Sequence, residues 1–247
     1  MTRLFLFLFL LTHTFLFSQE KWNIQFFNQV VNKEVFIYAD NKEEMPMSAQ
    51  FNFKLVNFTC TLPNEEIVVI PAKAQKFLIA RLTPIKPDEA NYFSYTNSYN
   101  FGNAIQETFD DDYIYSLPYQ KGKTQLIFQG YNGKFSHQNE YALDFNLKMG
   151  SEILAAREGT VVVVNNNNNY NCPDISCAKY NNKIVIMHSD GTFADYSHLK
   201  FRGAIVKKGD FVKKINSSVI VEVQVLQVDH ICISQYSLTG STGKEHL

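Results

Sequence analysis

Net charge is nearly absent from this chain. Its 23 Lys and Arg stand against 24 Asp and Glu, a formal charge of −1 over 247 residues. That balance supplies no basic face for a nucleic acid or another polyanion. No internal repeat is present, no segment has a convincing helical period, and beyond the first residues none could span a bilayer. What the chain has instead is aromatic and β-branched residues: 21 Phe and 13 Tyr among frequent Val and Ile runs, a composition that favours strands. The length allows one large domain or two small ones and is enough to bury a core.

The opening MTRLFLFLFLLTHTFLFSQE has the layout of a secretory signal. Arg3 supplies the positive start, Leu4 to Phe17 the apolar stretch, and Ser18 a small residue before a cut ahead of Gln19. The apolar stretch, interrupted by His13, is shorter than the ~20 residues of a membrane-spanning helix; an uncleaved anchor is the rival reading. Residues 1–18 are therefore taken as a leader, and the mature protein is expected to be soluble and exported, periplasmic or extracellular. In that oxidising setting Cys172 and Cys177, in NCPDISC, suit a small disulfide-closed loop. A metal pair is the alternative, though no second ligand pair stands nearby. Cys60 falls on an apparent strand and reads as a small buried apolar group.

From Trp22 to about Asn103 short apolar runs alternate with turn residues. VFIYAD, QFNFKLVNF, EEIVVIPA and KFLIARLTP are the clearest, and Phe51, Phe53 and Leu55 share one face at period two. The spacing suits a small β-sandwich, taken as immunoglobulin-like and spanning residues 19–105. Nothing in it clusters His, Cys or carboxylates, so a structural or docking module is expected. A polar stretch from Asn103 to Asp112 serves as a linker. Further strands are expected at YIYSLPY, TQLIFQGYNG, EILAAREGTVVVV and NKIVIMH. The Asn-rich segment between the last two reads as a surface loop.

Chemistry-bearing residues gather in this second half. His137 precedes Asp144, which sits in Ala142-Leu143-Asp144-Phe145, where a bare carboxylate would be costly to bury. A metal ion would remove that cost. His188 and His198 stand about a hairpin apart, with Asp190-Gly191 as the turn. A lone histidine is most often a surface or satisfied core residue. Histidines grouped around a strand carboxylate are more pointed, because zinc takes imidazole and carboxylate ligands.

Five pieces in order, QGYNGKFSH, YALDF, GSEILAAREGTVVVV, IVIMHSDGTFADYSHLK and GAIVKKGDFVKK, resemble the lysostaphin/LytM group of zinc endopeptidases, peptidase family M23. The resemblance runs from Gln129 to Asp210 and implies an antiparallel β-sheet peptidase domain, assigned to 113–214. It implies zinc as cofactor, with His137 and Asp144 as its first two ligands. By the same resemblance His198 assists the metal-bound water or steadies the tetrahedral intermediate. Zinc with three protein ligands and one open position lowers its water's pKa and polarises a peptide carbonyl. The implied activity is hydrolysis of peptide cross-links in peptidoglycan, with wall peptides as partner. No role carries over to His188, which is left as structural.

The resemblance stops after Lys214. The family continues with a glycine-rich segment and a His-x-His pair that supplies the third ligand, period two placing both imidazoles on one sheet face. Residues 215–247 read otherwise, and His230-Ile231-Cys232 is the nearest thing to a ligand pair. Codons shifted by one base change the picture. From Val219 to Gln235 the shifted frame can spell Tyr-Ser-Gly-Ser-Thr-Gly-Phe-Thr-Ser-Gly-Pro-His-Leu-His-Phe-Ser-Val. Cys232 as TGC followed by Ile233 as ATT contains CAT, a histidine codon. A single-base slip near the A-rich Lys213-Lys214 codons explains the tail, which leaves the chain, as its sequence stands, without a third ligand. The alternative is a non-catalytic relative that binds wall peptides or regulates another hydrolase. Sequencing the gene across the Lys213-Lys214 codons is expected to reveal the shifted frame downstream; codons incompatible with it would refute the slip.

Overall fold

The structure, a computed structural model, describes residues 22–148, 150–169, 180–214 and 230–236, the last as backbone alone. The leader at 1–18 and the Cys172–Cys177 pair lie outside the described residues. Among the described residues fourteen strands run in chain order: β1 (Ile24–Val31), β2 (Glu34–Asn41), β3 (Met47–Val56), β4 (Phe58–Cys60), β5 (Ile67–Ile70), β6 (Phe77–Pro84), β7 (Tyr92–Phe101), β8 (Leu126–Gln129), β9 (Ala142–Asn146), β10 (Gly159–Asn165), β11 (Lys183–Met187), β12 (Phe193–Ser197), β13 (Phe211–Val212) and β14 (His230–Tyr236). No α-helix occurs among the described residues. The protein is all-β, and every described strand pair is antiparallel.

The first seven strands make two sheets, β1-β2-β6-β4 and β5-β3-β7. Period-two patterning aims both at one core. In β2, Val35, Ile37, Ala39 and Asn41 point inward, and in β3, Met47, Ala49, Phe51 and Phe53 do. Phe51 is fully buried and its ring touches those of Phe26, Phe53 and Tyr95. Buried Asn41 avoids a desolvation cost by donating from Nδ2 to the carbonyls of Met45 and Pro71 and accepting the Glu43 amide,. Strand β1, which its own pattern marks weakly, is fixed by a two-residue turn. Asn32 and Lys33 have φ of 51° and 69°, the left-handed pair that a tight hairpin requires.

The other strands form one sheet in the order β13-β10-β11-β12-β14-β9-β8. One face packs a second core containing Phe145, Val161, Ile184, Ile186, Ala194 and Tyr196. The β11–β12 hairpin closes through Asp190-Gly191, with Gly191 at φ 79°. Strand β14 enters between β12 and β9, pairing with both. A strand in the tail was not expected.

Two other expectations fail locally. YIYSLPY is not a strand: Ser116 donates to Ala156 O, and Leu154 donates to Pro118 O, so residues 113–119 lie as a strap with scattered bonds. Pro118 cannot donate to a ladder, and the tyrosines that mimic alternation flank a guanidinium instead. In EILAAREGTVVVV only Gly159 onward forms a strand. Ile153 makes a lone β-bridge, and Ala155 and Ala156 are buried outside any strand, an ambiguity inherent in short apolar runs. Cys60 is half-buried and free on β4, and burial pushes its thiol pKa up.

Phe51→Ala is expected to destabilise the chain by about 3–5 kcal/mol, read as a lower urea midpoint at unchanged slope. Leu126→Ala, at an exposed edge, should change it by under about 0.5 kcal/mol.

Candidate metal centre

Strand β9 carries Asp144, and the loop between β8 and β9 carries His137; both are buried, at 3% and 4% exposure. Gln129, the last residue of β8, organises that loop. Its Oε1 accepts the amides of Phe135 and Ser136, while its Nε2 donates to Ser136 Oγ and to Asp144 Oδ2 at 3.3 Å. A side chain on Gly133 would collide with the Gln129 stem, so glycine is required there.

His137 Nδ1 lies 3.2 Å from the Gly130 carbonyl. A carbonyl only accepts, so Nδ1 donates to it and Nε2 is the nitrogen turned away from that bond. That Nε2 faces Asp144 Oδ1 at 3.3 Å. An imidazole nitrogen and a carboxylate thus meet in a buried place, where a proton or a cation between them offsets the cost of burial,. A backbone carbonyl bonded to the rear nitrogen is also how metal-binding imidazoles are oriented.

His198 follows β12 with φ of 66°. In register Tyr196 pairs with Ile233 and Cys232 with Asp144, so the backbone at His198 lies two strands, about 10 Å, from Asp144. The Cys232 backbone is beside Asp144. Ser197 donates to Asp195, which is 3.7 Å from Lys183. Among the described residues no group of three or more His, Cys, Asp or Glu side chains could hold a metal ion. Among the described side chains His137 and Asp144 supply two donors, against the three of a catalytic zinc site,.

Sequence reasoning missed Gln129, although it opens the first motif; a polar residue closing the apolar run LIF was its only signal. It also missed a polar network around His188. Arg157, buried at 3% exposure, pairs with Asp190 at 2.8 Å and lies with its guanidinium carbon 3.9 Å from the Tyr113 ring centre. It also donates to Tyr115 Oη. His188 donates from Nδ1 to Glu158 O at 2.8 Å and meets the Tyr115 ring edge-on. Its Nε2 is buried with no hydrogen-bond partner among the described residues. Burial lowers its pKa to about 4, with the nearby Arg157 charge adding to the effect. For Asp190, burial works upward, but bonds from Thr192, the Asp110 amide and Arg157 prevail and hold it at about 2.

Residues 138–219 match the profile of Peptidase family M23. This segment is M23-like. The match contains Asp144 and His198, begins one residue after His137 and ends before β14. Among solved structures, the catalytic domain of lysostaphin from Staphylococcus simulans is similar at 20% identity, over 47% of this chain and 80% of that one, with a TM-score of 0.33. A zinc containing peptidase from Vibrio cholerae is similar at 14% identity, over 84% and 75%, at 0.36. Helicobacter pylori Csd3 is similar at 16%, over 87% and 66%, at 0.37. No curated protein sequence matches significantly.

The pH dependence of folding follows from His188. Unfolded, it takes a proton near pH 6.5; folded, near 4. The unfolded state therefore holds more protons in that window, and stability falls as pH drops through it. Urea unfolding is expected to show a loss on the order of 3 kcal/mol between pH 7 and pH 4, and His188→Gln should flatten that slope.

Proposed function

We propose that residues 113–214 derive from a zinc endopeptidase that hydrolyses peptide cross-links of peptidoglycan, and that the chain as its sequence stands does not turn over. The observation that carries this reading is the buried contact of His137 Nε2 with Asp144 Oδ1 at 3.3 Å. Imidazole and carboxylate are zinc-ligand types, and their place matches the motif order of the M23 group. In this reading His137 and Asp144 are metal ligands and His198 the assisting histidine. The third ligand is lost to the altered tail at 215–247. Residues 19–105 form an immunoglobulin-like module, residues 1–18 direct export, and Cys172 and Cys177 pair.

Inactivity rests on metal arithmetic. Removing one of three ligands weakens zinc binding severely, and a site without retained zinc cannot activate water by this route. The two-donor set also suits a relative that holds wall peptides or regulates a hydrolase without cutting. The retention of His137, Asp144 and His198 together favours recent loss of activity over a long-settled binding role.

Metal analysis of the purified full chain is expected to find far less than one zinc per chain and no hydrolysis of wall peptides. A chain with its tail rewritten in the shifted frame should bind one zinc and regain hydrolysis. Near-stoichiometric zinc in the unaltered chain, abolished by Cys232→Ala, would overturn this reading.

A further inference from the structure

The two faces of the seven-stranded sheet are covered by different parts of the chain. Leu143 and Phe145 on β9, Ile184 and Ile186 on β11, and Ala194 and Tyr196 on β12 all pack in the second core. Alternation then puts Asp144, Val185, Phe193 and Asp195 on the opposite face. Val162, Val185 and Phe193 on that face belong to the core of the first sandwich. The Phe101 ring at the end of β7 meets Phe193 edge-on, with ring centres 5.4 Å apart, and Trp22 packs on Phe101 at 5.3 Å. The first sandwich is therefore seated on the same face that carries Asp144.

Polar contacts pin the seat at two further places. Lys208 forms an ion pair with Glu43, whose carboxylate is buried at 3% exposure. Residues 103–112, expected as a loose linker, are tied to the β11–β12 turn: Gln106 donates to Asp190 O, and the Asp110 amide donates to Asp190 Oδ2 at 3.2 Å. Along β12 the covered face changes character within two residues. Phe193 is apolar and capped, whereas Asp195 and Ser197, level with Ser234 and adjoining the row of Cys232 and Asp144, are polar.

We propose that the first sandwich is a fixed cap on the Asp144-bearing face of the second sheet, closing its β10–β12 side to any ligand of Asp144. A mobile docking module would need a small, polar junction. Here three side chains of one sheet are part of the other unit's core. The cap rests on this packing alone, and only the expectation that its ligand is a peptide rests on the peptidase reading above.

Trp22 is the chain's single tryptophan, so its fluorescence reports on the seat. In the full chain, thermal unfolding followed by Trp22 fluorescence and by far-UV circular dichroism is expected to give one coincident transition. Phe193→Leu should lower both midpoints together by roughly 5 °C, and Lys208→Gln should shift both in the same direction. If Phe193→Leu fails to fold, Lys208→Gln and the parent chain still decide. Two separated transitions, or a Trp22 midpoint unmoved by Lys208→Gln while the circular dichroism midpoint falls, would overturn the cap. Neither result depends on zinc content or turnover, so failure of the cap is distinguishable from failure of the peptidase reading.

Discussion

A sheet of mostly apolar strands must have both faces covered, and that constraint organises this protein. The strands β10, β11 and β12 bury side chains above and below. One side is filled by the strap and loops that supply Tyr119, Ile153, Leu199 and Val206. The other receives the first sandwich through Phe101. What is left is the strip along β14, β9 and β8. Asp144 and Gln129 lie on it, with His137 against Asp144.

The same need accounts for the buried charges far from Asp144. The strap at 113–119 has no ladder to join, so it is fastened by side chains. Arg157 reaches Tyr113, Tyr115 and Asp190, and His188 backs onto Tyr115. A buried guanidinium is tolerated because a carboxylate and two aromatic rings surround it. Asp190 serves twice, closing the β11–β12 turn through Thr192 and receiving the Gln106–Asp110 segment. Turn, strap and linker are thus one structure, which ties the first sandwich to the second sheet by polar bonds as well as by its core.

Much of this was legible in residue order. Alternation in VFIYAD and QFNFKLV predicts β2 and β3, because a strand half-buried in a sandwich has no other economical pattern. Asp144 was marked by its apolar neighbours, which make an unpaired carboxylate costly. The illegible parts have equally physical causes. Strand β1 is held by pairing and a left-handed turn rather than by its own alternation, so its sequence carries little of the signal. Gln129 acts through hydrogen bonds to residues 135, 136 and 144, and no spacing rule links an amide to such partners. The strap's tyrosines alternate like strand residues while serving a cation.

By itself the sequence determined the all-β character, the position of the costly carboxylate and the presence of two sequence regions with different chemistry. Strand patterning is a local property, and so is the conflict of a charge within an apolar run. Only the tertiary structure decided that His137 Nε2 and Asp144 Oδ1 face each other at 3.3 Å, that the tail backbone enters between β9 and β12, and that the first sandwich lies on the Asp144 face. Those are matters of register and of which face meets which. Period two says that a face exists, but the choice of partner for it is made by long-range packing.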